Sequence, residues 1–420
     1  MNESTTKKHI AVVGAGIIGI NCALELQSRG YQVTLLDKGA VGEGCSKGNA
    51  GHFATEQVFP LAEANILLHL PKMLLNPLGP VALSPKYFPK ALPWFIKFIA
   101  NMLPSKRRKN IAALKSLNEQ AIACYKPLLK AANAEELFLE KGSLLVFENT
   151  ALAKIKKLQQ AYLAQDVKVK LLDKAQTLLL EPNLQKNIQY SLYFTEVAHT
   201  VNPLSFSKKL AQYAQKLGCK IKRFDIKYIE HQATKVLLSD AEKKLTFDHV
   251  VIATGAWSEN LLKQLNYKLP IEAERGYSLD LSANTNTQLN RPVASAERRF
   301  IITPMSHGLR LAGTVEFAGL KQQANMKRAT MLHKNAQFII QELSHTTSEE
   351  SQAWLGFRPS LPDSLPVICP APNHQNITFA LGHQHLGLTL GAITGKLIGQ
   401  IVANEPPTIN ITPFCISRFN

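Results

Sequence analysis

Apolar residues fall into two registers along this chain. His9–Val13 (HIAVV) and Gln32–Leu36 (QVTLL) are short β-branched runs without polar alternation, and Phe247–Ile252 (FDHVVI) repeats the pattern far downstream. Such runs belong in strands covered on both faces, as in a parallel sheet flanked by helices. Between them the period changes. Ile111–Asn133 reads as a long amphipathic helix and Leu152–Gln165 as another, with an apolar strand at Ser143–Phe147. Asn202-Pro203 marks a helix start within Thr200–Gly218, since the Asn side chain accepts from orphan N–H groups and Pro fits the first turn. Residues 271–353 alternate instead, as in Arg299–Pro304 and Leu309–Thr314, which predicts a mixed, largely antiparallel sheet. A last helix, Leu388–Ala403, carries Gly391, Ala392, Gly395 and Gly399, suited to close packing. The expected class is α/β, with a second α+β unit.

The first strand runs straight into Gly14-Ala15-Gly16-Ile17-Ile18-Gly19, and Ile20–Arg29 follows as a helix with Ala23, Leu24 and Leu26 inward. Gly30 ends that helix, and the second strand closes on Asp37. This is the full strand–turn–helix–strand–acid context of a Rossmann-like nucleotide site. The first Gly makes the turn, the second admits a pyrophosphate to the backbone, and the third lets helix pack on strand. The helix N-terminus offers N–H groups and a positive dipole end to phosphate, and the acid accepts from a ribose hydroxyl. In a simple nicotinamide-binding chain, further βα units would follow at once. Here Gly42-Glu43-Gly44-Cys45-Ser46-Lys47-Gly48-Asn49-Ala50-Gly51 intervenes, a loop suited to wrapping a larger ligand. Ala253-Thr254-Gly255-Ala256-Trp257 follows the third apolar strand, an element typical of flavoproteins on this fold.

With these elements stand Arg275-Gly276-Tyr277-Ser278, Gly356-Phe357-Arg358-Pro359…Pro362-Asp363…Pro366 and Gly382-His383…Gly387-Leu388-Thr389. On these motifs the chain resembles the D-amino acid oxidase-like flavoproteins, and within them the bacterial D-amino acid dehydrogenases of small-subunit type. The resemblance implies a discontinuous FAD-binding domain, 1–57, 198–270 and 354–420, and a substrate domain, 58–197 and 271–353. It implies non-covalent FAD held by Gly14, Ala15, Gly16, Ile17, Ile18, Gly19, Asp37, Lys38, Ser46, Asn49, Ala50, Gly51, Thr254, Gly255, Gly387, Leu388 and Thr389. It also places Arg358 on the substrate α-carboxylate, which a planar guanidinium binds bidentately. Tyr277 would add its hydroxyl to that carboxylate, and His52 and His383 are further candidates for the site wall. The implied reaction is oxidative deamination of a D-amino acid to a 2-oxo acid and ammonia, by hydride transfer from Cα to flavin N5. Glycine, sarcosine, proline and hydroxyproline remain alternative substrates, because all carry an α-carboxylate. Readings of another class are a tRNA-modifying basic flavoprotein and a non-catalytic FAD-binding assembly factor; retention of Arg358 argues against the latter.

Charge adds one more expectation. The chain holds 48 Lys and Arg against 31 Asp and Glu, a net +17. Residues 58–110 form a Pro-rich insertion in which apolar clusters (Ile66–Leu68, Met73–Leu75, Trp94–Ile96) alternate with basic residues ending in Lys106-Arg107-Arg108-Lys109. That pattern suits an anchor on an anionic membrane surface, with electrons passing to a quinone or other acceptor, although an active-site lid has the same composition. No apolar run is long enough to span a bilayer. The six cysteines are scattered without a CxxC pair, which argues against a metal site or disulfide framework. The expected setting is cytoplasmic, peripheral on the inner face of the cell membrane, with no nucleic-acid partner.

Overall fold

In the computed structural model, residues 7–63, 78–282, 288–341, 343 and 352–419 are described. Two large sheets organise them. The first has six strands in the order Lys220–Arg223, Gln32–Asp37, His9–Val13, His249–Ile252, His374–Leu381 and Val367–Ala371. Its first five strands run parallel and the last is antiparallel. Ile10, Ala11, Val12, Val250, Val251 and Ile252 are fully buried, as continuous apolar runs require. Helix Ile17–Ser28 begins three residues earlier than its apolar pattern predicts, because the glycine turn itself supplies its first turn. It packs against helix Gly387–Val402. A Cβ at Gly395 would lie 2.6 Å from the Asn21 carbonyl oxygen, and one at Gly391 would lie 2.3 Å from the Tyr125 hydroxyl. The small residues of that last helix are therefore contact positions.

The second sheet has nine strands, eight in the order Gln352–Ser360, Glu272–Ser282, Gly308–Phe317, Phe300–Met305, Val293–Ser295, Ser143–Phe147, Tyr190–Phe194 and Val169–Asp173. Val81–Leu83 adds a ninth strand, parallel to Gly308–Phe317. The pairing is otherwise antiparallel apart from Val293–Ser295 with Ser143–Phe147. The α/β class and the mixed, largely antiparallel platform hold. One boundary differs. Gln352–Ser360, which carries Arg358, pairs with Glu272–Ser282 in the platform, so the chain leaves that sheet after Ser360 and not at 354. Helix Pro203–Lys216 starts at Asn202-Pro203, with Asn202 Oδ1 accepting the Ser205 N–H at 3.0 Å.

Two helices follow, Phe88–Ala100 beside the platform and Pro104–Ala132, which packs on helices Gly387–Val402 and Pro203–Lys216. Trp94 points inward. Its ring stacks on Phe98 at 5.0 Å and its Nε1–H donates to the Ser360 carbonyl at 3.3 Å. The expectation of Trp94 as a membrane-facing anchor is thus corrected, because its indole N–H finds a partner only on the platform side. The clusters Ile66–Leu68 and Met73–Leu75 lie outside the described residues. Among the described residues no helix is long and apolar enough to cross a membrane.

Candidate active site

A cavity of about 1100 Å³ runs between the two sheets, from the glycine turn to the platform. At one end it is built from backbone. Gly14 has φ +108°, its N–H donates to the Leu36 carbonyl at 2.7 Å, and a Cβ would lie 2.4 Å from the Ala253 carbonyl oxygen. Only glycine fits there. A Cβ on Gly19 would meet the Gly14 carbonyl at 1.8 Å, so helix and turn touch. Gly16 is different. A Cβ there would approach only Ser46 Oγ, at 3.5 Å, so no protein contact forces this glycine, and its open side faces the cavity. The helix has no acidic residue in its first turn and no capping side chain on Gly16. This is space and positive potential suited to a diphosphate.

Around that end stand most of the expected cofactor residues. Ala15, Ile17, Ile18, Asp37 and Lys38 line the cavity beside Gly14 and Gly16. Asp37 Oδ2 accepts the Ala15 N–H at 2.6 Å and Oδ1 accepts the Gly39 N–H at 2.8 Å, which fixes the carboxylate at the rim. Lys38 stacks its ammonium over the Trp257 ring at 4.5 Å. Ser46, Asn49 and Ala50 line the loop side, and Thr254 and Gly255 the opposite strand end. Ser46 Oγ accepts the Ile17 N–H at 3.0 Å, and Asn49 bridges the Ser46 carbonyl and the Gly51 N–H. Gly387 and Leu388 close the wall at the start of the last helix. Gly19, Gly51 and Thr389 do not line it. Gly51 is held by φ +67° against Thr200, and Thr389 Oγ1 accepts the Ala54 N–H at 2.9 Å, which ties the last helix to the loop.

The loop is also clamped by residues that the sequence did not reveal. Arg310 grips Asp280 with two hydrogen bonds of 2.6 and 2.7 Å, and its Nη1 donates to the carbonyls of Lys47 and Asn49, each at 3.0 Å. Burial alone would raise the Asp280 pKa, but Arg310, helped by His307, holds it at about 2.

At the platform end, alternation along Glu272–Ser282 decides which side chains face the cavity. Glu274 and Gly276 face it. Arg275 and Tyr277 point to the other side, where Tyr277 packs with Leu279, Leu311 and Leu332. The Tyr277 hydroxyl donates to Glu316 at 2.7 Å and accepts the Asn325 N–H at 3.1 Å. Tyr277 also borders the cavity, but its hydroxyl is spent on Glu316 and Asn325, so the expected contact with a substrate carboxylate would require those bonds to break. Arg358 does face the cavity. Nη1 is 2.7 Å from Glu274 Oε1, while Glu274 Oε2 accepts from Ser360 Oγ at 2.8 Å. The guanidinium lies across Gly276, where a Cβ would come within 2.5 Å of Cζ. Among the described residues Nε and Nη2 make no hydrogen bond, so Arg358 retains donors for an anion.

The histidines separate clearly. His383 lines the cavity, as expected, but its ring is buried with Nε2 2.9 Å from Thr394 Oγ1, and burial pushes its pKa down to about 3, so it is a neutral wall residue. Its neighbour His385, which the motif reading passed over, lines the cavity. Burial lowers it to about 4, with Glu274 opposing and Arg358 reinforcing the shift. His52 lines the cavity and pairs through Nε2 with Glu56 Oε1 at 2.8 Å. Cys45, on the loop, is pushed up to about 11 by burial and is an unreactive thiol. Among the described residues no group of three or more His, Cys, Asp or Glu is arranged to hold a metal.

The profile of the FAD dependent oxidoreductase family (DAO) matches residues 9–401. The chain is similar to a D-amino-acid oxidase of Bradyrhizobium diazoefficiens, 32% identical over 98% of this chain and 99% of the relative. It is 26% identical to D-amino acid dehydrogenase 2 of Ralstonia nicotianae, over 97% and 100% of the two chains. Glycine oxidase from Geobacillus kaustophilus shares the fold, with a TM-score of 0.76 at 20% identity over 98% and 99%.

Proposed function

The chain belongs to the DAO family of FAD-dependent oxidoreductases and acts on amino-acid CH–NH₂ donors; on that premise we propose that it deaminates D-amino acids oxidatively to 2-oxo acids and ammonia. The observation that carries the reading is Arg358, a cavity-facing guanidinium whose Glu274 partner leaves Nε and Nη2 uncommitted. A charge so placed binds the substrate α-carboxylate and fixes which way Cα–H points. Gly276 leaves room for the guanidinium, and Ser360 with Arg358 holds Glu274 so that the pair remains close to neutral. FAD, when bound, supplies the two-electron oxidant. Asp37, the Gly14–Gly19 turn and the Ser46–Gly51 loop are the residues proposed to hold it. The wall of Trp94, Phe95 and Phe98 excludes water from the platform end.

The proposed electron acceptor is a membrane quinone. Helix Phe88–Ala100 covers the cavity with Trp94 and turns Phe88, Leu92, Ile96 and Ile99 outward, continued by Leu103. Ile96 is 60% exposed, and Lys86, Lys90, Lys97, Lys106 and Arg108 flank the stripe. An apolar stripe with a basic rim fits an anionic bilayer surface, each basic residue adding about 1 kcal/mol.

The test is the visible spectrum of the holoenzyme under anaerobic conditions, with D- and L-alanine added in turn. Bleaching by the D-enantiomer alone is expected. Bleaching only by glycine, sarcosine or proline would replace the substrate class and keep the rest.

A further inference from the structure

An amino acid arrives at neutral pH with an ammonium group, and the nitrogen lone pair assists cleavage of Cα–H only once a proton has left. Arg358 cannot accept it. Glu274 is occupied by Arg358 and Ser360. A second carboxylate faces the same cavity. Glu56 follows the strand His52–Phe53, and its Oε1 is 2.8 Å from His52 Nε2. The two side chains keep only 6% and 10% of their exposure. Among the described residues Glu56 Oε2 and His52 Nδ1 are nevertheless buried without a partner, as are both ring nitrogens of the adjacent His199, and of these three residues Glu56 and His52 line the cavity. Each member thus spends one atom on the other and holds one in reserve. A buried polar atom without a partner calls for an account, and at a cavity wall a catalytic role is one such account.

We infer that the Glu56–His52 pair accepts the ammonium proton of the substrate. This rests on the amino-acid oxidoreductase reading above, and on Arg358 as the carboxylate anchor. One N–H bond of the ammonium breaks, its electron pair stays on nitrogen, and the proton passes to an open atom of the pair. The two electrons of the later oxidation go to the FAD on which the family depends.

The groups packed around the pair leave it the role. His199 lies opposite His52 on the strand Ala198–Thr200 and is held neutral, its pKa lowered to about 4 by burial, then by His52, Lys141 and Arg291. His385 stands where it feels Glu274, Arg358, Glu56 and His52 together, and is likewise neutral. The Tyr162 hydroxyl, facing Glu56 and Glu63, is pushed up by burial and keeps its proton. Glu274 and Arg358 cancel one another. Among the described residues Glu56 has no Lys or Arg paired to it, and unlike the exposed Glu63 it is buried.

The experiment is anaerobic flavin reduction of the holoenzyme by D-alanine across pH, for wild type, Glu56→Gln and Glu56→Asp. Wild type is expected to hold its rate through neutral pH. Glu56→Gln should lose about 10²–10³-fold there, and regain about tenfold per pH unit as free neutral amine increases. Glu56→Asp should keep the wild-type shape. Binding supplies a readout without turnover. The Kd of 2-aminoisobutyrate, which has an ammonium and a carboxylate but no Cα–H, should follow the same pH shapes. The Kd of propionate, which has no amine, should not respond to the substitution. A loss equal at every pH, or a Glu56→Gln profile parallel to wild type, overturns the inference and leaves the functional reading standing. A wild-type flavin reduced by no amino acid sinks that reading instead. Should Glu56→Gln fail to retain flavin, His52→Gln carries the same comparison.

Discussion

The strand Glu272–Ser282 presents two faces built from alternate residues, and they are organised by opposite rules. On the far face every polar group is spent. Arg275 donates to the Gly319, Gln322 and Gln323 carbonyls and to Glu316, and the Tyr277 hydroxyl both donates and accepts. Arg275 is fully buried, and a charge survives there because each of its three nitrogens donates, one of them to a carboxylate. On the cavity face the bonding is incomplete. Arg358 uses one nitrogen on Glu274, and Gly276 contributes only an absence of side chain. The lesson is that ion pairing does not by itself distinguish structure from function. The capacity left over does.

That comparison is testable from its strongest element downward. Arg358→Met should remove reduction by amino acids, by about 10³-fold in the second-order rate constant, as expected for two lost charge-assisted bonds. It should also destabilise the fold by about 3–5 kcal/mol, because Glu274 stays buried and unpaired. Arg358→Lys should not restore the rate, since an ammonium cannot serve Glu274 and a carboxylate in one plane. If Arg358→Lys turns over normally, the spare-donor account is wrong. Gly276→Ala displaces the same guanidinium without touching its charge. A loss of about 10–100-fold in amino-acid reduction is expected at unchanged flavin content, consistent with misplacement of a positioning group.

The third test moves along the same strand to Asp280. Its carboxyl is held near 2, below the ordinary 3.8, so the stability it contributes is present above the ordinary value and is lost as pH falls toward 2. Arg310→Gln should erase about 2 kcal/mol of that acid-limb dependence, read as thermal midpoint against pH. The same variant should weaken flavin retention through Lys47 and Asn49. The smallest effect belongs to the far face. Tyr277→Phe should cost about 1 kcal/mol through Glu316 and leave activity per bound flavin unchanged. A large activity loss in Tyr277→Phe would mean that the two faces are coupled.

The nucleotide end was legible in the sequence because backbone geometry dictates it. Gly14 and Gly19 are the residues that their contacts allow, and the strand His9–Val13 needs apolar residues on both faces. Ser143–Phe147 and the Asn202-Pro203 helix start were legible for the same local reasons. The platform end was not. Nothing local says which parity of Glu272–Ser282 faces the cavity, so Tyr277 read as a site residue and Glu274 went unnoticed. His383 and His385 sit two residues apart in one motif, and only the turn before the last helix decides which ring bonds Thr394 and which stands beside Glu274 and Arg358. Glu56 is four residues from His52 outside any helix, where spacing carries no signal.

The clamp from Arg310 to the loop carbonyls of Lys47 and Asn49 spans 263 and 261 residues of chain. The central strand His9–Val13 waits for His249–Ile252, which in turn waits for His374–Leu381. An emerging polypeptide therefore carries its glycine turn for most of synthesis without the walls that complete it, and such late, non-local closure is slow. Flavin capture is an event of the finished chain. The cofactor then stabilises by mass action only what has already assembled, so cells short of flavin would accumulate a closed but more readily unfolded apoprotein.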